Sequence, residues 1–208
     1  GKEWRLESRL FYDRYYNLLK AYDDTNYNSQ ESKSAFDSYY DDYSLGAGLI
    51  VGWDGIKNNL LKLGVNYKND VHRSHDDDDP KAKQSEYTTS VSLENTYRIN
   101  DRLSLLAGIG YFRHKGTTIE AYEQLEDSKE YGIVNYPTSS DKDINYQLAV
   151  NYSYNPNHGF RFSFSRNSRF ASLKDRYSYK RGKAIPNPDL KTEHSYNLDI
   201  TYNGKWNN

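Results

Sequence analysis

The densest set of potential metal ligands in this sequence is His72, His75 and the run Asp76-Asp77-Asp78-Asp79. Carboxylate oxygens suit a hard cation such as Ca²⁺. An EF-hand loop, however, needs donors interleaved with other residues and a glycine at the sharp turn, and Asp76-Asp77-Asp78-Asp79-Pro80 has neither. A block of like charge reads more simply as a solvated loop tip, so no metal ion is assigned. His114, His158 and His194 stand apart, with no spacing that sets two imidazoles and a carboxylate on one face, and surface or interfacial positions suit them. Arg161, Arg166, Arg169, Arg176 and Arg181 gather in or beside one stretch, where bidentate contacts could meet an anionic ligand. The competing reading, loop charge paired with Asp175 and Asp189, is preferred.

No Gly-Xaa-Ser-Xaa-Gly elbow, phosphate-binding loop or zinc signature occurs. The chain has no cysteine, which removes disulfides, thiolate metal sites and thiol nucleophiles. A Ser/His/Asp site assembled across distant elements would leave no local signature, and nothing positive points to one. We therefore read the chain as a non-enzyme, with no catalytic residue and no cofactor, and with its ligand-binding residues unidentified. With 28 basic and 29 acidic residues the net charge is −1, so no global field draws nucleic acid or an anionic membrane surface. The 208 residues require no second domain, and the absence of methionine suggests a chain that starts internally.

The elements that position these groups follow from where the apolar residues go. Hydrophobic residues make up only 36% and mean hydropathy is −1.04, values that ordinarily suggest disorder or heavy solvation. Yet 22 tyrosines raise the aromatic share to 15%, which disordered chains do not show. Rings with an apolar body and a polar tip belong where greasy and wet regions meet. No run of 18 apolar residues exists, which excludes a transmembrane helix but not transmembrane strands, because their alternation averages out in any window.

Period-two alternation recurs along the chain. Tyr43, Leu45, Ala47, Leu49, Val51 and Trp53 share one face, against Asp42, Ser44, Gly46, Gly48 and Gly52 on the other. Leu61, Leu63, Val65, Tyr67 and Val71 repeat the pattern, as do Tyr87, Thr89, Val91, Leu93 and Tyr97. Leu103 to Tyr111, Ile144 to Tyr154, Phe160 to Phe164, Tyr196 to Tyr202 and a first stretch through Trp4, Leu6, Leu10 and Tyr12 bring the total to about eight strands.

The connections fall into two alternating classes. Those at 54–57, 99–102 and 155–159 are tight and rich in Asp, Asn, Gly and Pro, whereas 17–41, 72–85, 115–142 and 167–191 are long. Four long loops at one end of a single sheet are unusual in a compact soluble domain, and they are the rule in outer-membrane barrels, which have short periplasmic turns and long extracellular loops. Tyr43 and Trp53 bracket one apolar face, Tyr87 and Tyr97 another, ten residues apart. At about 3.3 Å per residue and a tilt near 40°, that spacing projects to roughly 25 Å, the height of an apolar band between aromatic girdles. The opposite face of Gly, Ser, Asn and Thr suits a wet or plugged lumen. A soluble barrel turned inside out, its apolar face filling a dry core, is the alternative.

Residues 164–178, Phe-Ser-Arg-Asn-Ser-Arg-Phe-Ala-Ser-Leu-Lys-Asp-Arg-Tyr-Ser, followed by Ile185-Pro186-Asn187-Pro188-Asp189-Leu190-Lys191-Thr192-Glu193, resemble the barrel region of TonB-dependent receptors. There an aromatic-Ser/Arg strand end leads through a loop to an "N-P-x-L-K-P-E" strand entry. Ala171 and Thr192 stand where that pattern favours proline, both at element boundaries where a backbone donor is optional. Physically, Pro186 and Pro188 keep the chain extended while Asn187 and Asp189 turn it into the next strand, so the motif is structural.

The resemblance implies a segment, spanning residues 1–208 as a single barrel region without a plug domain, of a larger up-and-down barrel of 22 strands in the bacterial outer membrane. It implies uptake of a scarce ligand such as a siderophore, cobalamin or glycan. The implied partners are outer-membrane lipid, that small-molecule ligand and, through the absent plug, an inner-membrane energy-coupling protein. Two other readings stay open: a complete eight-stranded barrel with a structural or adhesion role, closed by pairing of its first and last strands, and a soluble β-protein that binds sugars through exposed tyrosines. A membrane barrel is expected to stay in the pellet of sonicated membranes and to require detergent for release; recovery in the soluble fraction would support the last reading.

Overall fold

The computed structural model describes residues 3–126, 128–177 and 185–206. Nine strands form one antiparallel sheet: β1 (Trp4–Lys20), β2 (Asp37–Trp53), β3 (Asn59–Asp76), β4 (Ala82–Arg98), β5 (Leu103–Gln124), β6 (Tyr131–Asn135), β7 (Ser140–Asn155), β8 (His158–Arg169) and β9 (Glu193–Gly204). Eight of them run in chain order, and the short β6 pairs only with the far end of β5. A one-turn helix, α1 (Leu173–Tyr177), sits between β8 and β9. β1 and β9 are the two edges of the sheet and do not pair with each other, so the barrel is open.

The three tight turns fall at 54–58, 99–102 and 156–157, where the sequence places them. Asn100 Oδ1 accepts from the N–H groups of Arg102 and Leu103 at 2.9 and 3.0 Å, and Asn155 Oδ1 accepts from Asn157 N–H at 2.9 Å, the Asx chemistry that reverses a chain without help from outside. Asn58 takes a positive φ of 63°, which asparagine tolerates better than most residues.

At the opposite end the strands run further than their apolar faces. The stretch 72–85, expected as a loop, is mostly ladder: His72 pairs with Gln84, Arg73 with Lys83 and Ser74 with Ala82, leaving a connection of 77–81. β1 reaches Lys20, β5 reaches Gln124, and the stretch 115–142 holds β6. The reason is physical: apolar alternation is imposed only where one face meets lipid, while backbone pairing continues as long as a neighbour is there to accept it. The longer connections left are 21–36 and 170–192.

The apolar faces are not gathered into a dry centre. Leu49, Val65, Val91 and Val150 are 40, 43, 49 and 38% exposed, whereas Ser90 on the other face is 8% exposed. Register carries the greasy rows unbroken across the sheet, through Leu49, Val65, Val91, Tyr111 and Ile144 in one row and Val51, Leu63, Leu93, Ile109 and Tyr146 in the next. An apolar surface of this extent is covered in its working state, and its height identifies the cover as hydrocarbon.

Rings cluster at both margins of that band. Near the tight turns, Trp4 stacks on Trp53 at 5.6 Å and Phe160 meets Tyr202 at 5.1 Å; Gly55 lies so close to the Trp53 indole that a Cβ there would collide with it. Toward the other end Tyr12 meets Tyr43, Tyr67 meets Tyr87, and Phe164 lies between Tyr146 and Tyr196, all at 6.1 to 6.4 Å. These are the two aromatic belts.

Placing a charge in mid-band should separate the faces. Val91→Arg in the intact barrel is expected to cost about 2 to 4 kcal/mol in reversible unfolding from bilayers, and Ser92→Arg on the concave side about 1 kcal/mol or less. Equal costs would mean that the faces are assigned wrongly.

Candidate functional site

The concave face carries a polar lattice. Lys62 Nζ contacts Glu94 Oε1 at 3.2 Å, and Gln147 donates from Nε2 to Glu94 Oε2 at 2.9 Å. Gln147 on β7 reaches Glu94 on β4 by crossing β5 above Gly108, where a Cβ would come within 3.0 Å of Gln147 Cγ. Glycine at that position is thus the gap through which the bond is made. Asn66 donates to Ser90 and Asn151 to Ser104, both at 3.3 Å, and Arg161 donates to Asn151 Oδ1 at 3.0 Å. A shallow depression beside this lattice is lined by Ser92, Glu94, Phe112, Asn145, Gln147 and Asn167. Asn145 Oδ1 is buried there with no hydrogen-bond partner among the described residues. The surface is rich in donors and acceptors and nearly balanced in charge, suited to water, a plug or a polar solute.

At the mouth the last long connection folds back onto β5 and β7. Arg176, 2% exposed, donates through Nη1 to the Pro188 carbonyl at 2.9 Å, through Nε to the Ala171 carbonyl at 3.3 Å, and through Nη2 to Asp141 on β7. Tyr177 donates to the Pro137 carbonyl at 2.9 Å. Phe170 stacks on His114 at 5.4 Å, and His114 Nε2 lies 2.9 Å from Glu86 Oε2. Asp175 accepts from both the backbone N–H and the hydroxyl of Ser172 and from Arg169; these bonds, the backbone one foremost, hold its carboxyl below the ordinary range. A guanidinium with three acceptors and a carboxylate capping the first turn of α1 pin the connection over the lumen rim.

Residues singled out from sequence are placed as follows. The acidic run is splayed: Ser38 donates to Asp76 Oδ1 at 2.6 Å, Asp77 accepts from Asp37 N–H at 2.9 Å, and burial followed by the charges of Asp76 and Asp77 pushes the Asp79 carboxyl upward. His72 turns to Asp42 at 2.8 Å, and His75 stacks on Tyr39 at 4.7 Å. Among the described residues no group of three or more such side chains is arranged to hold a metal ion. His158 is interfacial, 2.6 Å from the Tyr202 hydroxyl and 5.0 Å from the Trp206 ring. His114 departs from expectation, being 4% exposed, because β5 continues past the membrane band and Phe170 lands on it.

The arginines are committed, mostly to carboxylates. Arg166 pairs with Asp143, Arg169 with Asp175 and Glu193, and Arg176 with Asp141; Asp189, the other expected partner, takes no part among the described residues, and Arg181 lies outside them. The histidines' polar contacts are with carboxylates, a carbonyl and a phenol, not with a Ser or Thr hydroxyl. Arg169 with Asp175, six residues apart, is the loop pairing the sequence suggests, whereas Arg166 with Asp143 and Arg176 with Asp141 span 23 and 35 residues and no local pattern announces them.

Comparison with known proteins agrees with this geometry. A family model described as TonB dependent receptor-like, beta-barrel, matches residues 1–208. No curated protein sequence matches. Among solved structures, the copper transporter OprC superposes with a TM-score of 0.76 at 17% identity, over 97% of this chain and 33% of that one. The ferric-catecholate import receptor Fiu of E. coli K12 gives 0.69 at 11% identity, over 97% and 35%. The FrpB iron transporter of Neisseria meningitidis gives 0.67 at 19%, over 96% and 30%. The chain spans about a third of the length of these structures.

Asp141→Ala leaves the buried Arg176 guanidinium without its anion, and the rim is expected to open: limited proteolysis within 170–192 should accelerate by at least about tenfold while the barrel stays protected, since breaking one half of a buried pair costs about 3 to 5 kcal/mol. A pH series adds a second check. Because the Asp175 carboxyl is depressed, its contribution is complete above the unfolded carboxyl value and fades as pH falls through the folded one, so protection of 170–192 should be flat from pH 7 to 5 and weaken only in stronger acid. Loss of protection already between pH 7 and 6 would contradict this account.

Proposed function

We propose a function from this premise: the chain belongs to the TonB-dependent receptor β-barrel family, whose barrels lie in the bacterial outer membrane and import metals and siderophore-type ligands. In this reading residues 1–208 form one barrel region, part of the wall of a transporter for a scarce ligand such as a siderophore, cobalamin or glycan. The concave lattice around Lys62, Glu94 and Gln147 lines the passage, and the connection pinned by Arg176 stands at its outer rim. Energy is supplied through a plug domain and an inner-membrane coupling protein. The observation that supports the reading is the division of faces: exposed apolar rows outside, a hydrogen-bonded polar lattice inside.

The open edges of β1 and β9 weigh against a complete eight-stranded barrel, and the outward greasy rows weigh against a soluble sugar binder. The structural neighbours, a copper transporter and two iron importers, choose the first ligands to try, copper and ferric chelates, with cobalamin and oligosaccharides after them. Deleting the receptor that contains this chain is expected to lower accumulation of one labelled ligand of that panel by tenfold or more, and collapsing the proton-motive force should do the same to the wild type. Accumulation that is indifferent to both for every ligand would overturn the proposal.

A further inference from the structure

On the outward face, one step beyond the outer aromatic belt, β5 and β7 carry cations that no carboxylate among the described residues neutralises. Arg113 and Lys142 are direct cross-strand partners, both exposed, and Lys115 follows Arg113 at the next outward position of β5, opposite Tyr87. Like charges facing each other across a ladder destabilise it unless an anion lies between them. None of the three side chains has an ion pair or hydrogen bond among the described residues. The carboxylates nearest in sequence, Asp141 and Asp143, turn the other way and are taken: Asp141 by Arg176, Asp143 by Arg166 and His194. Elsewhere at this end Arg14 and Arg73 share Asp41 and Lys20 holds Asp37, while Lys83, opposite Arg73 on the same outward face, has no ion pair among the described residues.

The height of the cluster identifies its counter-ion. Tyr111 ends the apolar run of β5, and Arg113 lies two residues further, about 5 Å along the membrane normal at ordinary strand rise and tilt. That is the headgroup layer of the leaflet facing the long loops. A guanidinium beside an ammonium, over a belt of tyrosines, matches a phosphate monoester whose acyl chains lie along Ile109, Tyr111, Ile144 and Leu148. We propose that Arg113, Lys115 and Lys142 form a binding site for the phosphate of a phosphorylated outer-leaflet lipid, with the lipid's chains on the apolar rows beneath. The site depends on the outward orientation of these faces and not on the cargo, so failure of the uptake experiment leaves it standing.

The test uses the receptor purified whole and placed in nanodiscs of phosphatidylcholine containing a bis-phosphorylated glycolipid, the same glycolipid without phosphates, or neither with inorganic phosphate in the buffer. Lipid retained after detergent exchange is counted by native mass spectrometry. Wild type should retain the phosphorylated glycolipid and not the dephosphorylated one. Arg113→Gln, Lys115→Gln and Lys142→Gln should each lower retention by about fivefold, the value of one basic side chain at an anionic surface. Lys33→Gln, which removes the same charge from the 21–36 connection, should leave it unchanged, and the charge-preserving exchange Arg113→Lys with Lys142→Arg should keep most of it. Heat-modifiable gel mobility verifies the folding of each variant. Equal retention by wild type and the glutamine variants, equal retention of the dephosphorylated lipid, an equal loss in Lys33→Gln, or displacement by millimolar inorganic phosphate would each refute the site.

Discussion

In hydrocarbon there is no water to accept a backbone hydrogen bond, so every N–H and C=O in the band must find its partner inside the sheet. This constraint organises the whole chain. It makes the strands long, consecutive and antiparallel, with the register of each pair running unbroken through the apolar zone from β1 to β9. It also makes the two edges untenable by themselves: β1 and β9 each present a ladder of unpaired groups at membrane depth, and only further strands, closing a larger barrel, can satisfy them.

Given a fully paired backbone, the side chains are free to differ by face, and the low mean hydropathy of −1.04 stops being paradoxical. Only every second residue within the band needs to be apolar, and nothing needs to be apolar beyond it. The concave side can then hold Lys62, Glu94 and Gln147 in one hydrogen-bonded string, because the medium it faces is wet. A dry interior would make the same three groups expensive. Stability comes from the ladder and from lipid contact, which is why the buried apolar residues among those described are few and mostly small, such as Ala35, Ala149 and Ala171.

What could be read in the sequence follows the same boundary. The eight wall strands, the three tight turns and both aromatic belts were legible, since each reflects a local requirement: alternation against lipid, Asx and Gly turn chemistry, rings at an interface. The outer ends of the strands were not. From His72 onward on β3, and from Lys115 onward on β5, the chain keeps its ladder but loses the obligation to be greasy, so ladder and loop look alike. The burial of His114 beneath Phe170 and the choice of Asp141 for Arg176 depend on a connection folding back over strands 56 and 35 residues away in sequence, whereas β6 is a local hairpin on the polar end of β5, where no apolar alternation marks it. Non-local pairing of this kind leaves no spacing to detect.

Charge at the mouth shows how far environment governs pairing. At the lumen rim, Arg169 and Arg176 each close on a carboxylate of the chain itself, and Arg176 does so at 2% exposure, where an unpaired guanidinium would carry a desolvation cost of several kcal/mol. Facing outward only a few residues away, Arg113 and Lys142 face each other with no carboxylate between them. The same strands supply both sets, so shortage of acid is not the cause: Asp141 and Asp143 flank Lys142 and alternate to the other side. A cation buried at the lumen rim, as Arg176 is, has only the protein to balance it, whereas one at the lipid headgroup layer stands in a field of mobile anions that cost the fold nothing to recruit. Alternation therefore sorts greasy from polar, and the outward charge divides further: Arg14, Arg73 and Lys20 are paired within the chain, whereas Arg113 and Lys142 are left for the membrane.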